Sequence, residues 1–243
     1  MDTVRTKVSA RARRQVDAAA GRRVGLVPTM GFLHEGHLSL VRRAREVSDS
    51  VWVSSFVNPA QFGPAEDFDR YPRDETRDLE LLEAAGVDVV FSPETSEMYP
   101  SPTVVEIGFS GLEHVLCGTD RPTHFAGVGL VVSKLFNIIG PDVAVFGQKD
   151  AQQALLIRRL AADLDFGVEI HIGPTVREPD GLALSSRNTN LTAAERVAAP
   201  VVYSALQAGR EAILQGERDP SRVVSAIEKV LAEQPLLRPQ YVE

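Results

Sequence analysis

Short runs of β-branched and aromatic residues alternate with segments of helical period along most of this chain, and that alternation limits the fold more than any other feature. Residues 23–27 (RVGLV), 50–57 (SVWVSSFV), 87–91 (VDVVF), 143–146 (VAVF) and 168–172 (VEIHI) read as strands. Between them, residues 37–46, 73–85, 123–139 and 152–164 repeat apolar side chains at helical spacing. The second of these stops at Gly86 and the third at Gly140-Pro141, both natural helix ends. Strands alternating with helices predict a parallel sheet covered on both faces. Right-handed crossovers make that a Rossmann-like, doubly wound α/β fold. After Gly173 the texture changes. A polar loop over 178–190 leads into two Ala-rich helices, at 192–215 and 220–234, and residues 240–243 (QYVE) read as the opening of a strand. The expected organisation is a Rossmann-like domain over 1–175 and a smaller α+β domain over 176–243.

Composition narrows the class. The chain is 44% hydrophobic and 24% charged, which suits a packed soluble protein and excludes disorder. A single cysteine, Cys117, speaks against a disulfide scaffold and suits a reducing cytoplasm, where it reads as a small buried hydrophobe. No apolar run approaches the roughly 18 residues of a membrane span, and the N-terminus lacks the apolar core of a signal peptide. Residues 1–23 carry seven basic side chains (Arg5, Lys7, Arg11, Arg13, Arg14, Arg22, Arg23), a pattern open to a nucleic-acid patch. The net charge of −7 and the lack of interleaved aromatic residues favour the solvated face of a first helix, with no nucleic-acid partner.

Four polar, glycine-bearing segments follow strands directly: PTMGFLHEGH (28–37), NPAQFG (58–63), GQKDAQQ (147–153) and GPTVREPDGLALSSRN (173–188). Ligands of open parallel sheets bind outside the carboxyl ends of the strands, so the four predict one shared cleft. The first places His34 and His37 three residues apart at the mouth of a helix, with Gly36 allowing close approach of a ligand. Helix N-termini present free N–H groups and partial positive charge, which suits phosphate, and two imidazoles there can stabilise charge growing on phosphate oxygens. The competing reading is a metal site, but the spacing is not that of HExxH and no third ligand accompanies the pair. Lys149, beside Gly147, suits a phosphate oxygen, and Asp150 suits ribose hydroxyls or a helix cap. Ser185, Ser186 and Arg187 form another phosphate-shaped set, or an ordinary turn. Gln61 and Gln153 suit the hydroxyls and carboxylate of a small polar substrate, or simply the surface. No Ser-His-Asp set, nucleophilic cysteine or carboxylate pair stands out, and the GxxxxGK(S/T) and GxGxxG loops are absent. What remains is a nucleotide enzyme that works by positioning and charge stabilisation.

The stretches VPTMGFLHEGH (27–37), FVNPAQFGPAEDFDRYPR (56–73), RPTHFAGV (121–128), FGQKDAQQ (146–153) and TVREPDGLALSSRN (175–188) together resemble the pantoate–β-alanine ligases. They keep the family's order and similar spacings over roughly residues 20–200. The HxGH and SSR elements are shared with the wider adenylyl-transferring superfamily; the glutamine loops and RPTHFAGV narrow the resemblance to this family. It implies ATP-dependent formation of pantoyl adenylate and pyrophosphate, then displacement of AMP by β-alanine to give pantothenate. It assigns Met30, His34, Gly36, His37, Gly147, Lys149, Asp150, Val176, Leu184, Ser185, Ser186 and Arg187 to ATP. His34, His37 and Lys149 are the catalytic set, with His37 the presumed acid. Gln61 and Gln153 hold pantoate, and Gln61 also lies where β-alanine enters. Magnesium is expected on the ATP phosphates, without dedicated protein ligands, and a cytoplasmic homodimer is implied.

Three departures from the family stand out. Ala151 replaces a frequent aromatic residue and Leu184 a frequent methionine. The family's C-terminal domain continues past a strand like residues 240–243, so this domain is expected to be incomplete and its action as a lid weakened. Two other functions fit the same residues: a truncated, catalytically weak protein that binds ATP and pantoate, and a plain nucleotidyltransferase.

Overall fold

The computed structural model of the chain describes residues 1–64 and 66–243, and its contacts gather into two units, Met1–Pro174 and Thr175–Glu243. In the first, strands β1 (Asp2–Val4), β2 (Val24–Thr29), β3 (Ser50–Ser55), β4 (Val89–Phe91), β5 (Val143–Gly147) and β6 (Glu169–Gly173) form one sheet in the order β1-β4-β3-β2-β5-β6. Every pair is parallel, as the strand–helix alternation predicts. Helices α1 (Lys7–Ala19), α2 (Glu35–Val47), α3 (Glu75–Ala84), α4 (Thr95–Met98), α5 (Cys117–Asp120), α6 (His124–Ile139) and α7 (Ala151–Asp163) lie on the connections.

Alternation of side chains along each strand divides the core in two. In β3, Val51 and Val53 pack with Leu40, Val41 and Ala44 of α2 and Leu82 of α3. Trp52 points the other way, into a larger cluster with Ala10 of α1, Leu135 and Phe136 of α6, and Leu156 and Ile157 of α7. Burial on both faces is the condition under which parallel strands read as continuous apolar runs.

Some local features differ from expectation. The three residues of β1 are too few for a periodic signal, yet they pair with Val89–Phe91 at the sheet edge. Much of the basic N-terminal segment is neutralised within the unit: Arg13 and Arg22 pair with Asp17, Arg14 with Asp142, Arg5 with Glu75 and Arg23 with Glu169. Cys117 is half-buried and packs against the larger cluster. β2 continues through Pro28 to Thr29; its pairing to β5 ends at Leu26, and with one neighbour beyond that point the strand tolerates a residue without an N–H.

In the second unit the helix expected over 192–215 is two helices, α8 (Ala193–Ala198) and α9 (Val201–Leu214). Pro200 lies between them, since proline cannot donate to the preceding turn and its ring clashes with it. α10 (Pro220–Ala232) packs on α9 at Gly209, where a Cβ would lie 2.7 Å from Ile227. The strand expected at 240–243 does not form: those residues have no regular structure, and a strand without a partner gains no ladder bonds. Among the described residues, the β pairing of this unit is one antiparallel bridge, Arg177 to Ala183. No helix among the described residues is long and apolar enough to cross a membrane.

Candidate active site

From β2 the chain builds the sheet outward through β3 and β4, then returns to lay β5 against the other side of β2. The carboxyl ends of β2 and β5 therefore flank the topological switch point, where doubly wound sheets bind ligands. Three of the predicted loops open there or next to it: residues 30–34 after β2, 56–61 after β3 and 148–150 after β5.

The first loop turns sharply, with Gly31 and Phe32 in the left-handed region (φ 79° and 50°). Phe32 has a Cβ and needs support to stay there. Asp78, buried on α3, supplies it: its two carboxylate oxygens accept the N–H groups of Phe32 at 2.6 Å and Leu33 at 2.7 Å. Arg77 donates to the Leu33 carbonyl at 3.0 Å and lays its guanidinium 5.5 Å from the Phe32 ring. Burial pushes the Asp78 carboxyl above its ordinary range, with the two N–H bonds and Arg77 opposing.

The turn delivers His34 to the N-cap of α2, where its Nδ1 accepts the Gly36 N–H at 3.1 Å. His37 Nδ1 accepts the His34 N–H at 3.3 Å, and the two rings lie 4.1 Å apart, tilted by 36°. With both Nδ1 atoms accepting, each neutral ring carries its proton on Nε2. Burial lowers the His34 pKa, with Lys149 and Arg77 adding to it; burial, His34 and Lys149 take His37 down to about 3. At neutral pH the site thus offers two uncharged Nε2–H donors at the positive end of a helix. Lys149 lies on the turn after β5, exposed and 3.3 Å from Asp150, close enough for its charge to act on both imidazoles.

Gln61 sits on a single 3-10 turn (Pro59–Gln61) after β3 and is buried. Its Nε2 donates to Met30 Sδ at 2.9 Å, linking the first two loops. Its backbone carbonyl is held by His124 Nδ1 at 2.9 Å and by Arg121 Nη2 at 3.4 Å, and Arg121 also grips Glu66. α6 presses against this turn so closely that a Cβ on Gly127 would fall 2.0 Å from the Ala60 carbonyl oxygen. Gln153 is half-buried on the first turn of α7, while its neighbour Gln152 donates to the carbonyls of Leu112 and Val115.

In the second unit, the Leu184 N–H donates to the Val176 carbonyl at 3.0 Å, next to the Arg177–Ala183 bridge. Ser185 caps the following 3-10 turn by accepting the Arg187 N–H; Ser186 is buried and Arg187 exposed. The structure thus brings Met30, His34, Gly36, His37, Gln61 and Lys149 together in the first unit, and Val176 with Leu184–Arg187 in the second. Among the described residues, no group of three or more His, Cys, Asp or Glu side chains gathers in a way that could hold a metal ion.

Asp78, Tyr99, Arg121 and His124 carry no individual signal in the sequence. Each acts on a loop far away in the chain, Asp78 from 45 residues beyond Leu33 and His124 from 63 beyond Gln61. Only the RPTHFAGV stretch carries a hint of this.

Residues 2–243 match the family described as pantoate-beta-alanine ligase. Pantothenate synthetase from Chloroflexus aggregans is 54% identical over 242 residues, covering 100% of this chain and 86% of its own length. The enzyme of the same name from Thermoanaerobacter sp. (strain X514) is 54% identical over 223 residues, 92% of this chain and 79% of its own. Among solved structures, pantothenate synthetase from Thermus thermophilus superposes with a TM-score of 0.93 at 48% identity, over 99% of this chain and 86% of that one. Pantoate-beta-alanine ligase from Francisella tularensis, crystallised in complex with beta-gamma ATP and beta-alanine, gives a TM-score of 0.82 at 34% identity, over 95% and 86%.

Proposed function

The chain belongs to the pantoate–β-alanine ligase family, and from that premise we propose how its residues divide the work of joining pantoate to β-alanine. ATP binds across the carboxyl ends of β2 and β5, with its phosphates on the first turn of α2. A pantoate carboxylate oxygen attacks the α-phosphorus, the bond to the bridging oxygen breaks, and pyrophosphate leaves with the electron pair. The β-alanine amine then attacks the carbonyl carbon of the mixed anhydride; AMP leaves with the original carboxylate oxygen, and the amine loses its proton to give pantothenate.

The observation that carries this reading is the pair of neutral imidazoles with Lys149 at the switch point. His34 and His37 donate their Nε2–H groups, and Lys149 its positive charge, to phosphate oxygens whose charge grows as pyrophosphate departs. A ring with a pKa of about 3 donates a hydrogen bond at neutral pH rather than a proton, which assigns His37 a stabilising role in the free site. Gly147 and Asp150 join Met30 and Gly36 around the nucleotide, Asp150 toward ribose hydroxyls. Val176, Leu184, Ser185, Ser186 and Arg187 are proposed as further ATP contacts in the second unit. Gln61 and Gln153 orient pantoate, and Gln61 borders the β-alanine position. Holding carboxylate and α-phosphate in line removes most of the entropic barrier of a two-body reaction.

Magnesium is proposed to arrive with ATP, held mainly through phosphate oxygens and water, where it neutralises phosphate charge. The family resemblance supports a cytoplasmic homodimer as the working form.

The reading is tested by incubating the chain with ATP, magnesium, pantoate and β-alanine. Pantothenate, AMP and pyrophosphate in equal amounts are expected. AMP transfer without amide formation would instead support a plain nucleotidyltransferase, and tight ATP binding with no product would support a binding protein.

A further inference from the structure

Beyond the residues that face the substrates, the geometry points to Tyr99 as a positioning residue that, through Asn58, fixes which end of the Gln61 amide meets the substrate. The inference rests on the proposed role of Gln61 as a pantoate contact and deepens it.

Tyr99 follows the short helix α4, its ring 6.3 Å from Phe56 by centroids and 5.2 Å from Lys134 Nζ. Its hydroxyl donates to Asn58 Oδ1 at 2.7 Å. The same oxygen accepts the Ala60 N–H at 3.3 Å. Two donors on Oδ1 leave the Asn58 amide one orientation, with Nδ2 turned to the Gly127 carbonyl at 3.1 Å and to Gln61 Oε1 at 3.2 Å. Asn58 is 1% exposed, so water does not compete for these atoms. With Oε1 engaged, Gln61 keeps its Nε2–H groups for the cleft, where its partner is the Met30 thioether, a weak acceptor. A substrate oxygen displaces such a partner readily. Gln61 therefore meets substrate as a donor, which suits a carboxylate or hydroxyl oxygen of a small hydroxy acid.

Without the Tyr99 hydroxyl, Asn58 loses its shortest bond, and rotation is opposed by the long Ala60 bond and by the Gly127 carbonyl, which a rotated Oδ1 would face. A rotated Asn58 presents Oδ1 to Gln61, which turns its own nitrogen inward and shows Oε1 to the substrate. Two acceptors then face each other. Burial pushes the Tyr99 phenol up to about 12, so it stays a donor throughout the working pH range.

Tyr99→Phe keeps the ring and removes only the hydroxyl. Loss of one such bond is expected to raise KM for pantoate about 3- to 10-fold, with KM for ATP and the urea midpoint of unfolding unchanged. In a Gln61→Ala background the same substitution should add nothing. A pantoate KM untouched by Tyr99→Phe while Gln61→Ala raises it would overturn the role of Tyr99 alone. So would parallel changes in both KM values with a lower urea midpoint, which mark a merely structural residue. No change in Gln61→Ala itself would overturn the Gln61 assignment and this inference with it.

Discussion

Replacing His37 or Lys149 with alanine is expected to lower pantoate-dependent pyrophosphate release by about 10²- to 10³-fold each, the usual loss when one donor to a developing oxyanion is removed. His37 holds its Nε2–H in place through the bond from the His34 N–H to its Nδ1, and Lys149 reaches the same cluster from the turn after β5. Neither residue holds the fold together. Lys149 is exposed, with Asp150 as its ion-pair partner, and His37 is half-buried on the first turn of α2. Melting temperatures of both variants should accordingly stay near that of the parent chain, which separates lost chemistry from lost structure. Because His37 takes up a proton only far below pH 6.5, its titration should leave no acid limb near neutrality in kcat/KM for ATP. Near-normal pyrophosphate release from either variant would contradict the phosphate roles.

The largest stability effect is expected at Asp17, far from the site. This carboxylate is fully buried where α1 meets β3, accepting from Trp52 Nε1 at 2.9 Å, Ser50 Oγ at 3.2 Å and Arg22 Nε at 2.8 Å, with Arg13 3.0 Å away. Burial alone would push its pKa up; the bonds from Trp52, Arg13 and Arg22 outweigh that and hold it below the usual carboxylate range. Asp17→Ala strands the buried Trp52 N–H, while Arg13 keeps Asp2 and Arg22 turns to solvent, and it is expected to cost about 1–3 kcal/mol, the range for leaving a buried donor unsatisfied. The sign with pH follows from the lowered pKa. The stabilisation is complete above the unfolded value of about 4 and is lost as pH falls through the lower folded value. The gap in urea midpoint between the parent chain and Asp17→Asn should therefore be wide at pH 7 and narrow below about pH 4. A gap independent of pH would contradict an ionised Asp17.

Periodicity makes the sheet and its helices legible because strands buried on both faces are written as unbroken apolar runs, as in residues 143–146. The residues proposed to face phosphate are legible too, since glycine, histidine and lysine directly after strands have few structural reasons to be there. What stays hidden depends on contacts distant in sequence. Asp78 looks like one more acidic residue of an amphipathic helix until its oxygens are seen on Phe32 and Leu33. Asn58 and His124 stand in motifs that suggest importance, yet their partners emerge only in the fold, once Tyr99 after α4 meets Asn58 and α6 packs on the 59–61 turn to bring His124 to the Gln61 carbonyl. The 192–215 segment reads as one helix because its alanines mask the break at Pro200. The strand anticipated at 240–243 does not form, for want of a neighbour to complete its ladder.

The central claim, activation of pantoate as an acyl adenylate, is tested most directly by following the carboxylate oxygens. Pantoate labelled with ¹⁸O in its carboxyl group is supplied with ATP, magnesium and β-alanine, and the products are weighed by mass spectrometry. Attack on the α-phosphorus predicts one labelled oxygen in each AMP formed and none in pyrophosphate. Label in inorganic phosphate, or unlabelled AMP accompanying labelled pantothenate and water, would contradict the adenylate and the roles assigned around it.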